Sequence, residues 1–390
     1  MEPPGVAVTL ETDRRERAPS VPARLVSSVV VAVMLMAACT GPGGSPARTG
    51  SPSLVATPGS TAPDAPTAPP EPTGTQPPGL FRVVGDEPVI PRGVFEGRSA
   101  ILPGAIAVAD GTYHAWVVAF AGIPGTQDVH HLTSPDAVAW TEVPDPSLER
   151  LSAGLGDPGA LPTSALFDDG TWVMYVTGTL ATEREAWQVW RATAPSPDGP
   201  WTRTEDPVLR RGPAGAWDAG GLDFPTVARV DDGYVLLYAG IPSVNRETGA
   251  LGLATSQDGV TWTKHDDPAT TDPGHAESDP VLEPGLCGGF DARAVHQPRL
   301  VAREDGLLVA YAGYAAGLSS RPAVGLARSD DGGRTWLCAW PGPALDPAGL
   351  PEGSVHTMVA FPRGDRVGLL VEWIRMSGTD VWLAEADGLP

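Results

Sequence analysis

The chain has 390 residues, with 47 acidic side chains against 26 Lys and Arg, and a formal net charge of −21. An acidic balance with no basic patch lacks the electrostatic footprint that a nucleic-acid backbone demands of its partner. Three cysteines, Cys39, Cys287 and Cys338, are too few to build a disulfide scaffold, so the fold must rest on a packed core.

Residues 1–24 are polar and carry Arg14, Arg15, Arg17 and Arg24, and an apolar run from Leu25 to Ala38 then closes on Met36-Ala37-Ala38-Cys39. That run of 14 residues is shorter than the ~20 that span a bilayer, and the order of basic leader, apolar core and small residues is that of a secretory signal. The small pair before Cys39 resembles the lipobox of bacterial lipoproteins. The resemblance implies removal of residues 1–38, acylation of Cys39 and an extracytoplasmic protein anchored to the outer face of the cell membrane by that lipid. From Thr40 to Leu80, 34 of 41 residues are Pro, Gly, Ser, Thr or Ala, which leaves almost nothing apolar to offset the entropy of ordering. Residues 39–80 therefore read as a disordered tether and residues 81–390 as the folded domain.

Within that domain one pattern recurs: Ser134-Pro-Asp-Ala-Val-Ala-Trp140, Ser196-Pro-Asp-Gly-Pro-Trp201, Ser256-Gln-Asp-Gly-Val-Thr-Trp262 and Ser329-Asp-Asp-Gly-Gly-Arg-Thr-Trp336. The starts lie 62, 60 and 73 residues apart, and Asp with Gly between strand-like runs gives a tight hairpin. Five apolar strands precede or follow these turns at the same spacing: Tyr113 to Gly122, Thr171 to Gly178, Gly233 to Gly240, Gly306 to Gly313 and Arg366 to Trp373. Before each stands a short run, four of which carry a proline: Pro103, Pro162, Pro225 and Pro298. Five copies of a four-strand unit predict an all-β, five-bladed β-propeller of antiparallel blades. The fifth copy ends without an outermost strand, and Gly85 to Gly93 copies the missing piece as it stands at Glu205 to Gly212 and Ser278 to Gly285. An N-terminal strand is thus expected to complete the last blade and close the ring.

Trp217-Asp218 with Phe224-Pro225, Tyr234 to Gly240 and Leu251 to Trp262 together resemble the repeat of the five-bladed glycosyl hydrolase clan that holds families 32, 43, 62 and 68. The resemblance covers about residues 84 to 387 and implies a glycan or glycoside ligand. The Ser-x-Asp-x-Gly-x-Thr-Trp turns are also similar to the Asp-boxes of sialidases, which lie outside the catalytic centre. The clan carries an Asp at the start of its first inner strand, where this chain reads Ser99-Ala-Ile-Leu-Pro103, and no Glu stands at the third inner strand.

Residues at the starts of the inner strands converge on the propeller axis, and each copy has an acid there: Glu96, Asp157, Asp218, Asp291 and Glu352. Asp223 stands on the third inner strand itself, and His296 and His356 hold the comparable place in copies four and five. Asp218, Asp223 and Asp291 are the expected catalytic carboxylates, two of them acting as acid and base or acid and nucleophile across a glycosidic bond. Trp217 and Phe290 are expected to wall the sugar pocket, with Glu96, Asp157, His296, Arg293 and Glu352 as binding residues and Arg98 and Arg299 as nearby cations. The competing reading has the aromatic–acid pairs capping the core and bonding backbone amides. The competing function is a non-catalytic, membrane-tethered propeller that binds a glycan or a protein. No metal-ligand spacing and no cofactor motif is present, although a central cation such as calcium has a place in the channel. His130-His131 reads as a surface pair, Asp266 to Asp272 as a solvated insertion, and the domain as a monomer. Export to an oxidising compartment predicts a Cys287–Cys338 disulfide.

Overall fold

The computed structural model describes residues 79–98, 100–120, 127–144, 147–153, 155–156, 159–180, 187–243, 248–318, 320–386 and 388. The leader, Cys39 and Asp157 lie outside the described residues.

After β1 (Arg82–Val83) the chain folds into meanders of one design. The first is β2 (Ala100–Ala109), β3 (Thr112–Phe120), β4 (Gln127–Ser134) and β5 (Thr141–Val143). The second is β6 (Leu161–Asp168), β7 (Thr171–Thr179), β8 (Trp187–Ala194) and β9 (Thr202–Arg203). The third is β10 (Gly221–Val230), β11 (Gly233–Ile241) and β12 (Ala250–Ser256), with β13 (Thr263–Lys264) and β14 (Pro280–Leu282) pairing successive stretches of the outer edge of β12. The fourth is β15 (Ala294–Arg303), β16 (Gly306–Tyr314), β17 (Ala323–Ser329) and β18 (Leu337–Cys338), and the fifth is β19 (Ser354–Arg363), β20 (Arg366–Arg375) and β21 (Gly378–Ala386). Neighbours within every meander pair antiparallel.

Ring closure has two signatures. The innermost strands touch in the cycle β2, β6, β10, β15, β19 and back to β2. The buried side chains also form layers that each draw on two adjacent meanders, including one that joins the fifth to the first through Phe361, Leu370, Ile101 and Val117. Each sheet is therefore covered on both faces, which is why Tyr234 to Gly240 reads as a continuous apolar run rather than an alternating one. The fifth meander takes its outer strand from the other end of the domain, as expected: Arg82 and Val83 pair with Glu385 and Ala384, and Ile90 bridges Val381.

The recurrent hairpins have a common chemistry. In the turns after β4, β12 and β17, Asp136, Asp258 and Asp331 each accept two backbone N–H groups, and Trp140 and Trp336 donate their indole N–H back to a turn carbonyl. The N–H groups of Thr261 and Val260 hold the Asp258 carboxyl down at about 2.

Each inner strand is irregular where the repeat carries its proline. Pairing slips at Pro103 and Pro162, across Phe224-Pro225 and across Gln297-Pro298, because a proline inside a sheet cannot donate to the ladder. β19 slips at the same place, between Val355 and Met358, without a proline. Phe224 and Gln297 take left-handed φ values of 46° and 52°, and a bulge of this kind re-aims side chains.

Candidate functional site

The re-aimed residues meet at the axis. Phe224, from the third meander, packs with Leu102 and Val118 of the first. Arg299, from the fourth, donates through Nε to the Met358 carbonyl of the fifth and through Nη1 to the Thr163 carbonyl of the second, at 2.5 and 2.9 Å. First and third, like second and fourth, are not neighbours in the ring, so both side chains cross the axis. They also meet each other, with the guanidinium carbon 5.2 Å from the Phe224 ring centre. Arg299 is 1% exposed, and burial draws its pKa down to about 9 against the opposing charge of Asp223. The guanidinium of Arg299 thus places a positive charge of the protein's own at the axis. Among the described residues no group of three or more His, Cys, Asp or Glu is arranged to hold a metal ion.

Above this floor, at the end where all five inner strands begin, stand two acid–histidine pairs. Asp223 and His296 are both buried, with Oδ2 3.7 Å from Nε2. The other Asp223 oxygen accepts the Phe224 N–H, and the Phe224 ring meets the His296 ring edge-on at 5.6 Å. On the fifth meander His356 Nδ1 lies 2.8 Å from Glu372 Oε2, with the imidazole 29% exposed and the carboxylate 5% exposed. Burial disfavours the charged imidazole, but the charge and hydrogen bond of Glu372 outweigh it and raise the His356 pKa above the usual histidine value. Glu372 was not among the expected site residues. Its signal is a lone charge inside the apolar run Leu369-Leu370-Val371-Glu372-Trp373-Ile374.

The structure does not group Asp218 and Asp291 with Asp223. Asp218, wholly buried, accepts the Gly212 N–H (3.0 Å) and the Tyr238 hydroxyl (3.3 Å) and pairs with Lys264 on β13, at the outer edge of its meander. Asp291, also wholly buried, accepts the Cys287 N–H (3.0 Å) and the Tyr311 hydroxyl (2.8 Å). Tyr238 and Tyr311 are equivalent, and burial first, then the adjacent carboxylate, pushes both phenols well above their usual pKa and keeps them donors. The paired aromatics lie flat on the sheet. A Cβ on Gly240 would sit 2.0 Å from the Trp217 indole, and one on Gly313 would sit 2.7 Å from the Phe290 ring, so those glycines are the seats of the aromatics. Trp217 stacks on Tyr238 at 5.7 Å and donates to the Ser278 carbonyl. These pairs cap the core and bind loop amides, the competing reading given above, and Trp217 and Phe290 serve the sheets rather than a pocket wall.

Lys264 and Cys338 occupy matching outer-strand positions, opposite Ala254 and Ala327. One ties its lead-in loop by an ion pair to Asp218, the other by a disulfide to Cys287, with Cα atoms 5.2 Å apart. Glu96, Arg293 and Glu352 are exposed, and Arg98 pairs with Asp128. Only His130 of the histidine pair is partly exposed, and His131 is buried. His131 is 1% exposed and bridges Asp198 (2.8 Å) and His114 (3.1 Å), while His130 pairs with Glu142 and stacks on Phe95. The expectation failed because Asp198, in the turn of the next meander, reaches across to it.

No protein-family model matches the chain, and no curated protein is similar to it in sequence. Solved structures do resemble it. A glycosyl hydrolase from Bacteroides ovatus matches with a TM-score of 0.56 at 18% identity, over 80% of this chain and 98% of its own. A structure from the family of mannoside phosphorylases that contains glycoside hydrolases targeting β-1,2-mannosidic linkages in Candida mannan gives the same figures. A thermostable family-43 glycoside hydrolase matches with a TM-score of 0.54 at 15% identity, over 76% and 90%. The chain thus shares a β-propeller fold with these solved structures.

Proposed function

We propose that this protein is an extracytoplasmic, lipid-anchored propeller that acts on a glycan at the end of the ring where the inner strands begin. The observation that carries the reading is Asp223: of the three carboxylates expected to do chemistry, it alone stands on an inner strand beside the axis, against His296 and above the Arg299–Phe224 floor. Glu372, held by His356, is a second buried acid at that end, and the reading assigns the two carboxylates of a glycosidase to Asp223 and Glu372. The small residues before Cys39 support export and anchoring, and so does the Cys287–Cys338 bridge, a feature of oxidising compartments.

A second reading, a non-catalytic glycan-binding propeller, is favoured by the commitment of Asp218 and Asp291 to loop amides and phenols. One experiment separates them. The purified domain is screened against aryl glycosides and cell-envelope glycans for turnover and for binding, and Asp223→Asn is then measured on whichever ligand responds. Loss of turnover by about 10²–10⁴-fold with binding retained supports catalysis through Asp223. Full turnover in Asp223→Asn removes Asp223 from the mechanism, and binding without turnover in the unmodified protein establishes the second reading.

A further inference from the structure

The axial end breaks the repeat once more, on the fifth meander. In the third and fourth, the irregular step of the inner strand sets two residues, Phe224-Pro225 or Gln297-Pro298, against one tyrosine, and Tyr238 or Tyr311 donates to the acid of its own lead-in loop. In the fifth the two residues are His356-Thr357 and the one opposite is Glu372. A carboxylate thus stands in the place of a phenol, and the acid of the lead-in loop, Glu352, is exposed. Glu372 holds His356 Nδ1 at 2.8 Å instead. That contact orients the imidazole and leaves Nε2 as the nitrogen able to meet a ligand. Access sorts the two acid–histidine pairs further. The side chains of Asp223, His296 and Glu372 are 4%, 4% and 5% exposed, whereas the His356 side chain is 29% exposed. Of the four, His356 is the one most open to an incoming glycan.

We infer that His356 is the proton donor of the axial site and that Glu372 is its positioning residue. The inference rests on the glycosidase reading given above, and it moves the second reacting group of that reading from the Glu372 carboxylate to the imidazole that Glu372 holds. The Nε2 proton passes to the glycosidic oxygen as the bond from that oxygen to the sugar carbon breaks. The bonding electrons stay with the oxygen, and the leaving group departs as a neutral alcohol. Water adds to the sugar carbon, its proton is taken by Asp223, and that proton returns through solvent to His356, so the site ends as it began. The charge and hydrogen bond of Glu372 favour the protonated ring against burial, which is the state from which a proton donor starts. A pair whose only task is to tie β19 to β20 needs no open imidazole. The structural histidines of the first meander, His114 and His131, are 8% and 1% exposed.

The test uses the full folded domain, one sugar that the unmodified protein hydrolyses, and two leaving groups. The 2,4-dinitrophenyl glycoside releases a stable anion and needs no proton donor, whereas the methyl glycoside releases an alcohol and does. His356→Gln should lose about 10²–10⁴-fold in kcat/KM on the methyl glycoside and less than about tenfold on the dinitrophenyl glycoside, whose turnover also reports that the variant is folded. Glu372→Gln keeps the imidazole and should show the same leaving-group bias at smaller size, in kcat, with KM near that of the unmodified protein. An equal loss on both substrates in His356→Gln, no loss on either, or no bias in Glu372→Gln would each overturn the assignment. Absence of hydrolysis of every glycoside by the unmodified protein would overturn the glycosidase reading and this assignment with it. A loss without leaving-group bias, in a protein that does hydrolyse glycosides, overturns this assignment alone.

Discussion

Replacing Cys287 and Cys338 together by alanine removes the covalent joint between the lead-in loop of the fourth meander and its outer strand. The bridge spans a sequence separation of 51, and the chain-entropy relation for a loop of that size gives about 4 kcal/mol of stabilisation through the unfolded state. Two observations set the expected loss below that ceiling. Asp291 still holds the loop through the Cys287 backbone N–H and Tyr311, and alanine fits the space of a small buried side chain. We expect a loss of about 2–4 kcal/mol. Urea unfolding followed by tryptophan fluorescence measures it, with the unmodified protein under reductant as a chemical copy of the variant. The third meander is the internal control, because its matching joint is the Lys264–Asp218 ion pair. Lys264→Met leaves a buried carboxylate uncompensated and should cost about 3 kcal/mol, with its sensitivity to reductant unchanged from wild type. A cysteine double variant within about 1 kcal/mol of wild type would show that the bridge ties nothing the fold does not already hold.

The remaining predictions concern buried charge. Burial first, then the neighbouring His131, lowers the His114 pKa to about 4, with Asp198 opposing. The unfolded chain therefore takes up a proton at that group near pH 6.5 and the folded chain only near 4, so stability falls as pH drops through that window. The loss reaches about 3 kcal/mol, and His114→Phe should flatten the ΔG profile between pH 7 and 4.5; an unchanged profile refutes the assignment. His356 has the opposite sign: its raised pKa gives stability that is fully present below pH 6.5 and is lost as pH rises through the folded value, and Glu372→Gln should abolish this, as read by titrating the His356 ring protons. Arg299→Met unplugs two carbonyls and leaves Asp223 without its cation, and should cost about 3–5 kcal/mol in thermal or urea unfolding; a loss under about 1 kcal/mol would mean that the axis is held by packing alone.

The strand order was legible because local signals repeat. The Asp–Gly–Trp turns and the apolar runs such as Tyr234 to Gly240 state their roles within ten residues, and the copy at Gly85 to Gly93 betrays the closing strand. The site was less legible. Trp217-Asp218 and Phe290-Asp291 recur with the repeat, and that recurrence is what a capping role produces, whereas a single catalytic centre in a ring needs residues that break the symmetry. Asp223 has no counterpart in the other copies, and the structure sets it on the third inner strand beside His296. Arg299 was legible as a nearby cation, but its reach across the axis was not, because its partners are backbone carbonyls of two other meanders, which no side-chain pattern can announce. Glu372 was not legible because it stands in the interior of the second strand, away from the inner-strand starts that converge on the axis.

The position of β1 also decides how the domain answers a pull. Among the described residues, the N-terminal segment from Gly79 is held to the ring by Phe81 with the Ala344–Asp346 segment, then by the two pairs that Arg82 and Val83 make with β21, then by the Ile90 bridge. Force applied at Gly79 is delivered to this short strand before any other of the described strands, and it loads those hydrogen bonds one after another rather than together. The seam is therefore the mechanical fuse of the ring: under load it should peel at low force, opening the fifth meander while the other four, each a continuous hairpin series, still stand.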